Sequence, residues 1–197
     1  MIFPVREGMD EAVQAVWDAQ DIVLASHVNP DGDAIGSLVG LSLGLKVLGK
    51  NVTVLSQDGV PDTLQFLPGT DLVQTSSQRR DFDLGIGLDA GEPGRLGINV
   101  APILSASVVM DIDHHVTGNQ FGDVRLLDAE SASTAELIFD FLHALGVELD
   151  AAMAQNLLCG VLTDTGGFRF PNTRPRTMEI GGALIAAGAS PPQIYEA

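Results

Sequence analysis

Short apolar runs alternate along this chain with segments that have the apolar spacing of helices. Four runs are apolar along most of their length, as is typical of strands buried on both faces of a sheet. The strands predicted in this way cover residues 21–27, 51–56, 83–89 and 105–113. Because strands that alternate with helices form parallel sheets, we predict an α/β, Rossmann-like fold with helices on both faces of the sheet.

The segments between the predicted strands supply the helices. Leucines at three- and four-residue spacing over residues 34–48 predict a helix, and Gly49 fits the position just after its end. The capping-box pattern that begins at Ser133 opens another helix, which Gly146 ends. Further helical patterns cover residues 150–162 and 178–189 and an N-terminal segment around Trp17, whose side chain we expect to pack in the core.

The charge of the chain limits the kind of partner it can have. The 26 Asp and Glu residues outnumber the 10 Lys and Arg residues, which gives a formal net charge of −16. A surface this acidic repels phosphate backbones at long range, so tracking along long nucleic acids is disfavoured. A local cluster of cations can still attract a phosphate at one site.

Several other classes of protein are excluded or disfavoured. Cys159 is the one cysteine, so an intrachain disulfide and a cysteine-based zinc site are excluded, and we expect a buried thiol. The first residues lack the pattern of a signal peptide, and no apolar run reaches the roughly 18 residues of a membrane helix. We therefore expect a cytoplasmic protein without a membrane partner.

Aspartates and histidines collect where the predicted strands end. Because ligands of open α/β sheets bind beyond the carboxyl ends of the strands, we expect these side chains to converge. They are His27, Asp31 and Asp33 after the first strand, Asp89 at the end of the third, His114 and His115 after the fourth, and Asp164 after the helix over residues 150–162.

Each of these motifs also has a plain structural explanation when it is taken alone. Residues 29–33 read as a turn in which Asp33 is a candidate N-cap, and Asp89 can simply end a strand. Residues 113–115 can be a surface cluster, and Asp164 can lie at a helix end. Their shared position at one edge of the sheet favours the interpretation as a site.

The types of side chain indicate the class of metal. Carboxylates with a few imidazoles and no sulfur suit Mn²⁺, Fe²⁺ or Mg²⁺ better than structural zinc. The candidate ligands exceed what one ion needs, and two ions that share a bridging carboxylate fit their number. Such pairs promote in-line phosphoryl displacement. The sequence contains no P-loop, dinucleotide-binding glycine motif or nucleophile elbow.

Taken in order, the motifs resemble those of the DHH superfamily of phosphoesterases, and the resemblance covers roughly residues 8–190. It is closest to the branch of bifunctional oligoribonucleases that also dephosphorylate 3′-phosphoadenosine 5′-phosphate. The matching residues are His27-x-Asn29-Pro30-Asp31-Gly32-Asp33-Ala34-Ile35-Gly36-Ser37, Asp89 with Arg95-Leu96-Gly97, Asp113-His114-His115 with Asn119 and Phe121-Gly122, Gly160 to Gly166 with Phe168-Arg169-Phe170 and Asn172-Thr173, and Phe66-Leu67-Pro68-Gly69.

The resemblance implies a role for each candidate residue. Two Mn²⁺ ions, replaceable by Mg²⁺ or another divalent cation, would activate a bridging water as the nucleophile, and His115 would stabilise the phosphate charge or protonate the leaving oxygen. Arg95 would add a cation near the phosphate or fix its loop. The implied ligands are His27, Asp31 and Asp89 for one ion and Asp33, Asp89, His114 and Asp164 for the other.

The resemblance also implies an activity and a domain plan. The implied reactions are hydrolysis of short RNA oligonucleotides to mononucleotides, in the 3′–5′ or 5′–3′ direction, and of 3′-phosphoadenosine 5′-phosphate to AMP. We expect residues 1–190 to form the catalytic domain and residues 191–197 to begin a linker to a C-terminal DHHA1 domain that this sequence lacks. The apolar helices are compatible with a homodimer.

Other functions remain open on the sequence alone. One is a module that binds metal or nucleotide without turnover, because the second domain of the family is missing. Others are cyclic-dinucleotide phosphodiesterase activity and the activity of family II pyrophosphatases, which share these ligands. A phosphatase with Asp31 as an aspartyl nucleophile would leave the histidines without a role.

Overall fold

The computed structural model describes residues 6–115 and 121–196, and these residues form a six-stranded parallel sheet in the order β3-β2-β1-β4-β5-β6. This architecture confirms the predicted α/β class. The strands are β1 (Asp21–Ser26), β2 (Asn51–Leu55), β3 (Val73–Gln74), β4 (Leu84–Leu88), β5 (Val108–Asp113) and β6 (Val124–Leu127). The helices are α1 (Met9–Asp18), α2 (Gly32–Val47), α3 (Val100–Leu104), α4 (Thr134–Ala144), α5 (Ala151–Asp164), α6 (Pro175–Ala186) and α7 (Pro191–Tyr195).

The four predicted strands correspond to β1, β2, β4 and β5, with ends that agree to within three residues. The two outer strands, β3 and β6, were not predicted. β3 has only two residues, and β6 carries the exposed Arg125 among apolar neighbours, so neither forms a continuous apolar run. Both lie at the edges of the sheet, where one side of a strand has no strand neighbour.

The side chains of β1 alternate between two apolar layers. In β1, Ile22 and Leu24 face the larger layer, which α2, α4 and α5 cover. Val23 and Ala25 face the other layer, which contains Ile103 of α3. Both faces of β1 are thus buried, which explains why the strand is apolar along nearly its whole length.

Helix α2 packs unusually close to α5 because glycines recur along it at four-residue spacing. A Cβ atom at Gly36 would lie 2.3 Å from the carbonyl oxygen of Asn156, and one at Gly32 would lie 2.0 Å from Thr163 Oγ1. Gly40 faces Leu157 in the same way, since its Cβ would lie 2.9 Å from a methyl carbon. The close packing joins the start of α2 to the end of α5.

The prediction for Trp17 was wrong. Its side chain is 50% exposed, and Ala12 and Val16 of α1 face the core instead. Residues four apart share one face of a helix, whereas Trp17 lies about 100° further round than Val16. The Lys50 ammonium lies 5.6 Å from the centre of the Trp17 ring.

Two other expectations concern the rest of the chain. Cys159 is buried, as predicted. Across the described part of the chain, every helix is too short or too polar to span a lipid bilayer. Asn119, one of the motif residues, lies outside the described residues.

Candidate metal centre

The six predicted metal ligands lie together at the carboxyl edge of the sheet. They form two groups that share Asp89. In the first, His27 Nε2 lies 3.5 Å from Asp89 Oδ2 and 4.0 Å from Asp31 Oδ1. In the second, His114 Nε2 lies 3.1 Å from Asp164 Oδ2, 3.6 Å from Asp89 Oδ1 and 4.0 Å from Asp33 Oδ2.

Asp89 lies between the two groups, and each of its oxygens faces a different histidine. Its backbone has a φ of 57°, a left-handed conformation that costs a residue other than glycine about 1–2 kcal/mol. The amide N–H of Asp89 donates to the Ile112 carbonyl at 3.0 Å, which holds this turn at the end of β4. The carboxylate that both groups share thus sits on a strained backbone, as is common at functional sites.

The loop after β1 positions the first group. Asp31 is the N-cap of α2, where its Oδ1 accepts hydrogen bonds from the N–H groups of Asp33 and Ala34, both at 3.0 Å. Asp33, the N-cap candidate of the sequence, lies inside the first turn instead. The Nδ1 atom of His27 lies 2.8 Å from the Val28 carbonyl, and a carbonyl only accepts. Nδ1 therefore carries the proton, and Nε2 is the nitrogen that faces the carboxylates.

The amino-terminal end of α4 fixes Asp33, which is fully buried. The carboxylate of Asp33 accepts hydrogen bonds from the N–H groups of Thr134 at 2.7 Å and Ala135 at 2.9 Å. Sequence reasoning predicted the start of this helix at Ser133 but missed that its first N–H groups hold a candidate ligand. The capping box is the signal, since free N–H groups at a helix start bind carboxylates.

Asp113 holds His115 in place, a role that was not predicted from the sequence. The ring Nδ1 of His115 donates to Asp113 Oδ1 at 2.6 Å, and its backbone N–H donates to the same oxygen at 2.8 Å. The N–H of Gly91 donates to the other oxygen of Asp113. His115 is 37% exposed on its side chain, so its ring is accessible from solvent while one nitrogen is fixed.

Arg95 contacts the first loop through its backbone. Its carbonyl accepts a hydrogen bond from the Val28 N–H at 2.7 Å, which ties the loop after β4 to the loop after β1. Burial and the charge of its guanidinium lower the pKa of His27, but the interactions of His27 with Asp89 and Val28 outweigh them and raise it. That Arg95 fixes its loop or adds a cation near the phosphate stays a prediction.

The carboxylates and histidines perturb one another strongly. Burial would lower the pKa of His114, but its hydrogen bond to Asp164 and the charges of Asp33 and Asp89 outweigh this and raise the pKa to about 9. Burial and the neighbouring carboxylates Asp89 and Asp164 raise the pKa of Asp33. A bound cation would relieve the repulsion among these carboxylates.

The donor set of this centre fits divalent cations. Three groups have ligand atoms within 4.8 Å of one another: His27 with Asp31 and Asp89, Asp33 with His114 and Asp164, and Asp89 with His114 and His115. Oxygen and imidazole donors without sulfur are typical of sites for Mn²⁺, Fe²⁺ or Mg²⁺. The residues could therefore hold a metal, with His115 at the exposed side of the cluster.

Comparison with known proteins shows the family of this chain. Residues 21–161 match the model of the DHH family, N-terminal domain. The chain is 39% identical to the bifunctional oligoribonuclease and PAP phosphatase NrnA of Thermus thermophilus over 85% of this chain and 50% of that protein. It is 29% identical to the Bacillus subtilis protein of the same name over 94% of this chain and 59% of the relative. The chain spans about half the length of the curated relatives it matches.

Solved structures give the same fold. An exopolyphosphatase-related protein from Bacteroides fragilis has a TM-score of 0.88 and 27% identity, over 96% of this chain and 59% of that one. The exonuclease RecJ bound to manganese has a TM-score of 0.61 and 19% identity, over 95% of this chain and 49% of that one. At this identity RecJ shows likeness of fold alone.

Proposed function

This chain belongs to the DHH family, and we propose that it is a two-metal phosphoesterase that hydrolyses short RNA oligonucleotides to mononucleotides and 3′-phosphoadenosine 5′-phosphate to AMP. The substrates come from the names of the NrnA relatives, of which this chain matches only 50% and 59%. The net charge of −16 also favours short substrates over long nucleic acids.

The position of Asp89 between the two ligand groups is the observation that carries the proposal. Its Oδ2 faces His27 at 3.5 Å and its Oδ1 faces His114 at 3.6 Å, as expected of a carboxylate that bridges two ions. We propose two Mn²⁺ ions here, with Mg²⁺ as an alternative. The proposed ligands are His27, Asp31 and Asp89 for one ion and Asp33, Asp89, His114 and Asp164 for the other. When bound, such a pair supplies an acidified water and neutralises phosphate charge.

His115 supports the leaving group in this scheme. Its hydrogen bond to Asp113 outweighs burial and raises the pKa of the imidazole above its ordinary value of 6.5, which favours the protonated ring. Because Nδ1 is engaged by Asp113, Nε2 is the nitrogen available to the substrate. A protonated Nε2 can donate a hydrogen bond to the phosphate or a proton to the leaving oxygen.

In this scheme the Arg95 guanidinium supplies positive charge near His27, and this charge acts to lower the pKa of His27. Its backbone carbonyl meanwhile holds the Val28 N–H and so keeps the two ligand loops together. A charge at this position attracts an anionic substrate to a surface that is otherwise acidic.

Substitution of the shared carboxylate tests the proposal. Hydrolysis of a ribodinucleotide and of 3′-phosphoadenosine 5′-phosphate is measured with Mn²⁺ and after chelation, with inorganic pyrophosphate and a cyclic dinucleotide as competing substrates. Asp89→Asn should abolish turnover, whereas Asp10→Asn, on the exposed face of α1, should leave it unchanged. Turnover that survives chelation or the Asp89→Asn substitution contradicts the two-metal scheme, and a preference for pyrophosphate contradicts the assigned substrates.

A further inference from the structure

A tight turn lies directly after Asp164, and we call it the glycine corner (residues 165–170). Its central residues Gly166, Gly167 and Phe168 all have left-handed backbone conformations, with φ values of 56°, 71° and 65°. Two consecutive glycines adopt such a conformation at low cost. The corner therefore reverses the chain within a few residues and keeps its last residue, Phe170, close to a proposed metal ligand.

Phe170 ends the glycine corner and lies over Gly166. A Cβ atom at Gly166 would lie 2.5 Å from the Cζ atom of the Phe170 ring, so only glycine permits this approach. The Phe170 N–H donates to the Thr165 carbonyl at 2.9 Å, which fixes the backbone one residue from Asp164.

The two phenylalanines of the corner have different environments. Phe168 packs against the core, where a Cβ at Gly181 of α6 would lie 2.8 Å from its ring. Phe170 is instead 50% exposed. The corner thus buries one aromatic ring and holds the other at the surface over Gly166, two residues after the candidate ligand Asp164.

A cation and a second aromatic side chain contact the glycines of the same corner. Arg169 is exposed, its Nε donates to the Gly166 carbonyl at 2.5 Å, and it has no carboxylate partner among the described residues. The Tyr195 hydroxyl lies 2.7 Å from the position of a Cβ at Gly167, and Tyr195 is 65% exposed. Since Lys and Arg number only 10 in a chain of charge −16, an unpaired arginine here favours an anionic ligand.

We propose that the glycine corner is a nucleoside-binding subsite, in which Phe170 stacks on a base of the substrate and Arg169 faces a neighbouring phosphate. The inference rests on the proposed function, which it deepens. A ring held at the surface offers one face to any base, because every base has a π face. The subsite would therefore distinguish nucleotides from phosphate esters without a base, with little preference among bases.

A matched pair of substrates tests the subsite. One is a ribodinucleotide, and the other is the same molecule without a base at one position. Phe170→Ala should lower kcat/KM for the dinucleotide by about 5- to 150-fold, mainly through KM, since stacking contributes about 1–3 kcal/mol per base. The abasic substrate should be hydrolysed as by the wild type, and Phe170→Tyr should retain the wild-type KM.

Two further variants complete the design. Trp17→Ala is the matched control, because Trp17 is also 50% exposed but lies near the start of β1, at the opposite end of the strands. Trp17→Ala should not change kcat/KM for either substrate. Arg169→Gln should raise KM and reduce the slope of log KM against log salt by about one, as expected for the loss of one phosphate contact.

The outcomes separate the subsite from the proposed function. An unchanged dinucleotide KM in Phe170→Ala, or an equal loss for both substrates, overturns the subsite while hydrolysis by the wild type stands. If the wild type hydrolyses neither substrate, the proposed function fails. Calorimetric binding of a dinucleotide with a methylene-phosphonate linkage then decides the subsite: weaker binding by Phe170→Ala supports it, and equal binding overturns it.

Discussion

The hydroxyl of Thr134 donates a hydrogen bond to Oδ1 of Asp89 across 2.9 Å. Both residues are buried, and the backbone N–H of Thr134 donates to Asp33 as well. The first residue of α4 thus holds two candidate ligands through different atoms. A partner that orients a ligand in this way commonly influences metal affinity although it does not touch the metal.

Thr134→Val removes the hydroxyl but retains the shape of the side chain and the backbone N–H. We expect Mn²⁺ to bind about 10- to 100-fold more weakly, the usual effect of losing such a partner. Isothermal titration of metal-free protein measures the affinity. Thr134→Ser keeps the hydroxyl and should bind Mn²⁺ like the wild type, so equal affinity in all three proteins would contradict the positioning role.

Mn²⁺ binding should release protons and become tighter as the pH rises. The metal-free site raises the pKa of His114 to about 9, so its ring is protonated at pH 7 and must lose that proton to bind a cation. Affinity therefore rises with pH and levels off above about pH 9. Titration calorimetry in two buffers with different ionisation enthalpies counts the released protons at pH 7. A count of zero would show that His114 is not a ligand.

Asp113→Asn should lower the pKa of His115 towards its ordinary value of 6.5, because the hydrogen bond from His115 to Asp113 is the main cause of the raised pKa. If the protonated ring assists the leaving group, activity falls as the pH rises through this pKa, and the variant moves that fall to lower pH. NMR titration of the His115 ring and the pH dependence of kcat measure the two shifts. A moved pKa with an unmoved rate profile would remove His115 from the reaction.

The raised pKa of His115 also makes the stability of the fold depend on pH. A pKa that is higher in the folded than in the unfolded protein contributes stability fully below about pH 6.5, and the contribution is lost as the pH rises through the raised value. The wild type should therefore lose stability from this histidine between pH 6 and pH 9. In Asp113→Asn the urea midpoint should fall less over the same pH range. The comparison is made on metal-free protein so that bound ions do not contribute.

Gly36→Ala should destabilise the fold by about 1–3 kcal/mol, because the added methyl group meets the Asn156 carbonyl and the two helices must separate. Gly182→Ala is the matched control in α6, where a Cβ meets no atom within 4 Å. That substitution should stabilise the protein by about 0.5–1 kcal/mol through helix propensity. Urea unfolding measures both, and a neutral Gly36→Ala would show that α2 and α5 can move apart freely.

The sequence predicted the central part of the fold because β1, β4 and β5 are buried on both faces and apolar along most of their length. The edge strand β3 has two residues and leaves no periodicity to detect. The sequence alone could predict that the six candidate ligands lie together, because the carboxyl ends of parallel strands meet at one edge of the sheet. Thr134 could not be paired with Asp89 in this way, because their contact depends on how α4 packs across the sheet.

The four-residue spacing of glycines in α2 has a consequence for motion. Asp31 is the N-cap of α2 and Asp164 ends α5, and the two helices pack closely at Gly32, Gly36 and Gly40, so we expect these two ligands to move together. Any rearrangement that admits substrate or releases product is therefore left to the chain outside this helix pair. We expect such movement in two turns: the turn after β4, which carries Arg95, and the turn that carries Phe170.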